Sequence, residues 1–167
     1  ASFQNIELVF SDKRWYFDFA EDFYNEYAEI DNILPLLIQE NNRKILENQL
    51  PNVIAILKKG RFLEGLEESW LDPFIEKMNN RIIEFSQAMF SKLDSAAHSE
   101  LLFDLAEIVS IADPLNESAL KKKISLLIDQ GKLSLAKNIY DNFIKLYKEL
   151  YEEDYPIDFK DIVDENP

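Results

Sequence analysis

His98 is the only histidine in a chain of 167 residues that contains no cysteine. A histidine-based triad would have to be built on that one residue, and a zinc site would lack both thiolates and a second imidazole. His98 also falls near an expected helix start, where a solvated role is the simpler one. Glu67-Glu68 with Asp72 could form a carboxylate pair or hold a hard cation. Adjacent residues on a helix point in different directions, however, so surface solubility is the better account. Glu152-Glu153-Asp154 lacks the glycine and the alternation of a calcium loop. Gly60, Gly65 and Gly131 are too scattered to cradle a phosphate. These residues give catalysis no foothold, and the expectation is no enzymatic activity, no cofactor and no metal.

Charge narrows the partners. The net charge is −14, and it is unevenly placed. Residues 1–34 carry eight acids and two bases, residues 149–167 carry eight acids and one base, and the middle is nearly neutral. Nucleic-acid binding draws on a cationic surplus that neutralises phosphates, which this segment lacks. The Lys121-Lys122-Lys123 run is the local exception, expected to be the solvated face of a helix. No run approaches the roughly 18 apolar residues needed to span a membrane, and no membrane contact is expected. The absence of cysteine fits a reducing, cytoplasmic setting.

The elements that must position these groups fall into two kinds. Ile6, Leu8 and Phe10 alternate with polar residues, Ser11-Asp12-Lys13-Arg14 supplies a turn, and Trp15, Phe17 and Phe19 alternate again. Period two on both sides of a short polar turn predicts a β-hairpin over residues 1–19. From about Ala20 the period becomes helical. Phe23, Tyr27, Ile30 and Leu34 share one face, with Pro35 expected to interrupt. Apolar residues from Ile38 to about Lys59 follow, with a break or kink at Pro51. A short helical turn is expected through Leu63 and Leu66 to Trp70. Asp72-Pro73 reads as N-cap and first helical residue. Further helices are expected over about 74–93, from a Ser95 cap, over about 117–130, and over about 133–150.

Asp113-Pro114 stops one helix, Asn116 can cap the next, and Gly131 separates that helix from another. Ala136 and Tyr140 lie four residues apart and so share a face, where a small residue admits a neighbouring helix. This is the layout of a tetratricopeptide-type pair. With a period of about 34 residues, the preceding unit would begin near Ile83, with Leu102 and Ala106 at its large and small positions. Single units cannot bury their own apolar faces, so a stack of three is expected. The fold class is then mostly α: a tetratricopeptide-like antiparallel helical repeat over residues 20–163, behind a short N-terminal hairpin and ahead of a disordered tail at 164–167.

The ordered elements Gly60-x-Phe62-Leu63, Glu68-Ser69-Trp70-Leu71-Asp72-Pro73, Asp113-Pro114-Leu115-Asn116-Glu117 and Gly131-x-x-x-x-Ala136 carry a family resemblance. With the helix through Tyr140, Leu146 and Glu149, the chain resembles the bacterial transcriptional activator domain of antibiotic-regulatory-protein-type regulators. The resemblance implies a helical module following a winged-helix DNA-binding domain, whose closing hairpin Ile6–Phe19 would be. It also implies dimerisation and protein partners, the transcription machinery among them, with DNA reached only through the missing domain. Trp70 is expected in the core. The aromatics Trp15, Tyr16, Phe19, Phe23, Tyr24 and Tyr27 are too many for one face. Trp15, Tyr16, Phe19 and Tyr24 are therefore the candidate partner-binding residues. The competing reading is a free-standing helical scaffold that binds a partner peptide in its groove.

Overall fold

Why the chain turns back on itself at residue 12 is a matter of two backbone angles. Asp12 and Lys13 both have positive φ, at 51° and 61°, the conformation of a two-residue turn whose twist matches that of the flanking strands. The computed structural model describes residues 6–19, 26–63, 65 and 68–164. In it, strand β1 (Ile6–Ser11) pairs antiparallel with β2 (Arg14–Phe19), in the register Ser11 opposite Arg14 and Ile6 opposite Phe19. The expected hairpin is present.

Seven α-helices are described after it: α1 (Glu26–Gln39), α2 (Arg43–Leu57), α3 (Asp72–Lys92), α4 (Ser99–Ala112), α5 (Glu117–Asp129), α6 (Leu133–Tyr151) and α7 (Phe159–Asp164). The protein is mostly helical. Helix α1 packs on α2 and α3, α2 on α4, α3 on α4, α4 on α5, and α5 on both α6 and α7. The principal core collects Leu34, Leu50, Phe85, Met89, Leu102 and Leu105 among others. A second cluster, around Leu120, Ile124, Ala136, Tyr140, Phe143 and Ile162, fills the space between α5, α6 and α7.

Several local expectations hold for the reasons given. The Asn116 side chain accepts from Ala119 N at 3.1 Å and caps α5. Asp113 accepts from Leu115 N and from the Asn116 amide, closing the turn that ends α4. Gly131 has φ +70°. Its N–H donates to Ile128 O and that of Lys132 to Leu127 O, so orphan carbonyls at the end of α5 are satisfied by a left-handed glycine cap. Ala136 and Tyr140 are both buried.

Others are corrected. Neither proline ends its helix: α1 runs through Pro35 and α2 through Pro51. Pro35 leaves the carbonyl of Asp31 without its intrahelical donor, and Arg81 of α3 donates to that oxygen at 3.1 Å instead. Pro51 sits on the exposed side of α2, as does Glu47, whose carbonyl loses its intrahelical donor. The break falls between α1 and α2, where Asn42 caps α2 by accepting from Lys44 N at 3.1 Å. There Lys92 of α3 donates to the carbonyls of Ile38 and Glu40, closing the end of α1.

Asp72 is already helical, with Leu71 at the cap position and Pro73 in the first turn. Of the turn expected over Leu63–Trp70, only a 3₁₀ turn at Ser69–Leu71 is seen, and Leu66 lies outside the described residues. Ser95 caps nothing; Asp94 Oδ1 accepts from Ala97 N at 2.8 Å, and α4 starts at Ser99. The first helices of the three successive pairs begin at Glu26, Asp72 and Glu117, about 45 residues apart rather than about 34. The second step is lengthened by α3, at 21 residues, and the first by the long connection between Leu57 and Asp72. Asp164 closes α7, and the rest of the expected tail, 165–167, lies outside the described residues.

Candidate interaction surface

Three of the four residues expected to bind a partner lie on β2. In the observed register Trp15 stands opposite Phe10, Phe17 opposite Leu8, and Phe19 opposite Ile6. Because alternate residues of a strand share a face, those six apolar residues occupy one side of the hairpin. Tyr16 falls on the other side, paired with Val9. The backbone therefore separates Tyr16 from Trp15 and Phe19. Tyr24, the fourth, lies outside the described residues, as does Phe23.

Only six residues separate Phe19 from Glu26, the start of α1. There α1, the loop after α2 and the start of α3 enclose a groove of about 420 Å³ lined by Tyr27, Phe62, Leu63, Phe74 and Met78, with Asp31 and Lys77 at its charged edge. The Tyr27 and Phe62 rings lie 4.4 Å apart between centroids. The Tyr27 hydroxyl donates to Arg61 O at 3.4 Å. An ion pair between Lys59 and Glu26 ties the loop to the first turn of α1. Leu63 holds a left-handed backbone at φ 58°, a conformation that costs a non-glycine residue energy. Phe74, in its lining, stays 55% exposed.

Trp70 does not join the core. It is 67% exposed, and the neighbouring Leu71 is buried in its place. The tight 3₁₀ turn offers one inward position per turn, and Leu71 takes it. Trp70 thus lies on the surface, at the start of the helix that also carries Phe74.

His98 stands at the start of α4 as expected but is not solvated, since its side chain is only 9% exposed. Nε2 lies 3.0 Å from Glu47 Oε1, and Nδ1 lies 3.2 Å from Asp94 O and 3.4 Å from an Arg43 guanidinium nitrogen. A carboxylate can only accept, so Nε2 donates to Glu47. This cluster joins α2 to the α3–α4 turn. A hydrogen bond from Arg43, the largest cause, and one from His98 hold the Glu47 carboxyl below the ordinary carboxylate value.

The lysine run is corrected too. Lys123 is buried and bonded to Glu107 Oε1 at 2.9 Å. Lys122 lies over the Phe90 ring at 5.6 Å, and burial lowers its pKa. Three consecutive residues span most of a helical turn, so they cannot share one solvated face. Sequence spacing could have flagged Lys123, which falls four after Ala119 and four before Leu127 on the buried side of α5.

Among the described residues no group of three or more acidic, histidine or cysteine side chains is placed to hold a metal ion. No described helix is long and apolar enough to cross a membrane. The geometry offers apolar contact surface. Comparison with protein-family models, with curated proteins and with solved structures gives no match.

Proposed function

We propose that this chain is a non-catalytic protein-interaction and dimerisation module of a bacterial transcriptional regulator, cytoplasmic, acting with a DNA-binding domain outside the sequence in hand. The observation that carries the reading is the pairing of two features. An N-terminal hairpin gathers Trp15, Phe17 and Phe19 on one side, and it precedes helix pairs that pack in succession as a tetratricopeptide-like stack would. A two-stranded hairpin is marginal alone in water and needs a cover. In this reading the cover is the preceding domain in the intact regulator, with part of the aromatic surface left for a second copy.

Sedimentation equilibrium tests the dimerisation. The chain is expected to show a concentration-dependent dimer, weakened by Trp15→Ser and Phe19→Ser and unaffected by Tyr16→Ser, which alters the other side of the ladder. A monomer at all concentrations overturns this part. The groove lined by Tyr27, Phe62 and Phe74 favours the second reading, a scaffold for a partner peptide. A helix-turn-helix pattern encoded immediately upstream of Ala1 supports the regulator, whereas a start codon there supports the scaffold.

A further inference from the structure

Among the described residues Lys123 is the one charged side chain that is buried. Its ammonium has three donors, and one of them reaches Glu107 Oε1 at 2.9 Å. Among the described residues no other acceptor takes the remaining two. The side chain is 11% exposed, while that of Glu107 is 48% exposed and can be hydrated. The shortage of partners is therefore on the cation. Buried donors left unmade are costly, and more so when charged.

The Lys123 side chain lines a cleft of about 200 Å³ between the end of α4, α5 and α6. The apolar lining comes from Leu120, Ile139, Phe143 and Leu146. Of the polar lining, Ser110 already donates to Ala106 O, and the Asn116 amide is spent on Ala119 N and Asp113. The Asn142 amide has no partner among the described residues, so its donors are free at the rim. The cleft therefore presents one buried cation with donors to spare, and the Asn142 amide offers a donor and an acceptor at its rim.

We propose that this cleft binds a carboxylate carried on a compact apolar group. The carboxylate would take the free donors of Lys123 and Asn142, and the apolar body would lie on Phe143, Leu120 and Ile139. A cavity of about 150 Å³ accepts benzene, so the space suits a ring or branched chain of that size. An amine is disfavoured because Glu107 is already paired and is open to water. The site lies on α5 and α6 and does not rest on the regulator reading.

Phenylacetate is the probe, followed by amide chemical shifts of the labelled chain. Saturable shifts confined to α5, α6 and the end of α4 are expected, with the neutral isostere phenylacetamide about tenfold weaker or worse. Lys123→Met should weaken phenylacetate by a similar factor while circular dichroism stays native. Asn142→Ala, at an exposed position, gives a smaller loss without risk to the fold. Equal binding of the amide, unchanged affinity in Lys123→Met and Asn142→Ala, or no saturable shift at the cleft overturns the proposal. An N-acetylated peptide ending in a free phenylalanine carboxylate distinguishes the source. Tighter binding than phenylacetate assigns the site to a chain end, and weaker binding assigns it to a free acid; either supports the carboxylate.

Discussion

Replacing Arg81 tests how α1 survives an internal proline. Arg81 Nη1 donates to Asp31 O at 3.1 Å, and the same guanidinium pairs with the Asp31 carboxylate. Both side chains are about a third exposed, so the ion pair contributes at most about 1 kcal/mol. The hydrogen bond from a charged donor to a carbonyl that Pro35 leaves orphaned contributes about 1.5–3 kcal/mol. Arg81→Met is therefore expected to cost about 2–3 kcal/mol, which for a chain of this size lowers Tm by about 5–10 °C. In a Pro35→Ala background the backbone amide restored at that position can serve the Asp31 carbonyl directly. There Arg81→Met should cost only about 1 kcal/mol, leaving a coupling of about 1–2 kcal/mol in the double-mutant cycle. Urea unfolding of the four proteins, followed by circular dichroism and compared at common slope, measures it. If Arg81→Met costs the same in both backgrounds, to within about 0.5 kcal/mol, the guanidinium is not standing in for the missing amide and the reasoning fails.

Ser86 is fully buried on α3 with its hydroxyl unbonded. Ser86→Ala is expected to stabilise by about 1 kcal/mol, and a drop in Tm would show that the hydroxyl has a partner. Burial first, and then the nearby Glu117 carboxylate, push the Tyr155 hydroxyl up to about 12 from 10.0. A raised value in the folded state contributes stability that is complete below about pH 10 and is lost as pH rises toward about 12. Wild type should lose stability across that window faster than Tyr155→Phe; parallel alkaline unfolding curves would contradict this. The exposed Trp70 predicts water-like emission and ready acrylamide quenching in a Trp15→Phe variant, with Trp70→Ser changing stability by less than about 0.5 kcal/mol. A blue-shifted, protected tryptophan would return Trp70 to the core.

What is legible in the sequence is whatever one element decides for itself. The alternation around Asp12-Lys13, the Asn116 cap and the Gly131 stop each depend on residues within a few positions, and each is found. What stays hidden depends on distant partners. Pro35 breaks a helix by local rules, yet Arg81, 50 positions beyond the orphaned carbonyl of Asp31, supplies the missing bond. Hydrophobicity alone cannot say which of Trp70 and Leu71 a 3₁₀ turn points inward. The repeat length escapes local reading because nothing nearby limits α3 to the length of α1 or α5, or shortens the connection between Leu57 and Asp72. At the candidate interaction surface, pairing within the hairpin is readable, but the split between Tyr16 and its neighbours requires a fixed register. The groove beside Tyr27 needs Phe62, Phe74 and Met78 brought together from separate elements.

Phe103 packs against both the principal core and the cluster around α5–α7, and Leu126 of α5 belongs to the principal core. The conspicuous boundary at Asp113-Pro114 is therefore a bend in one continuous interior rather than a seam. Two polypeptides divided at that proline would each bare half of a shared surface. Mixed together they are expected to reassociate into the native complex, whereas neither alone should melt cooperatively.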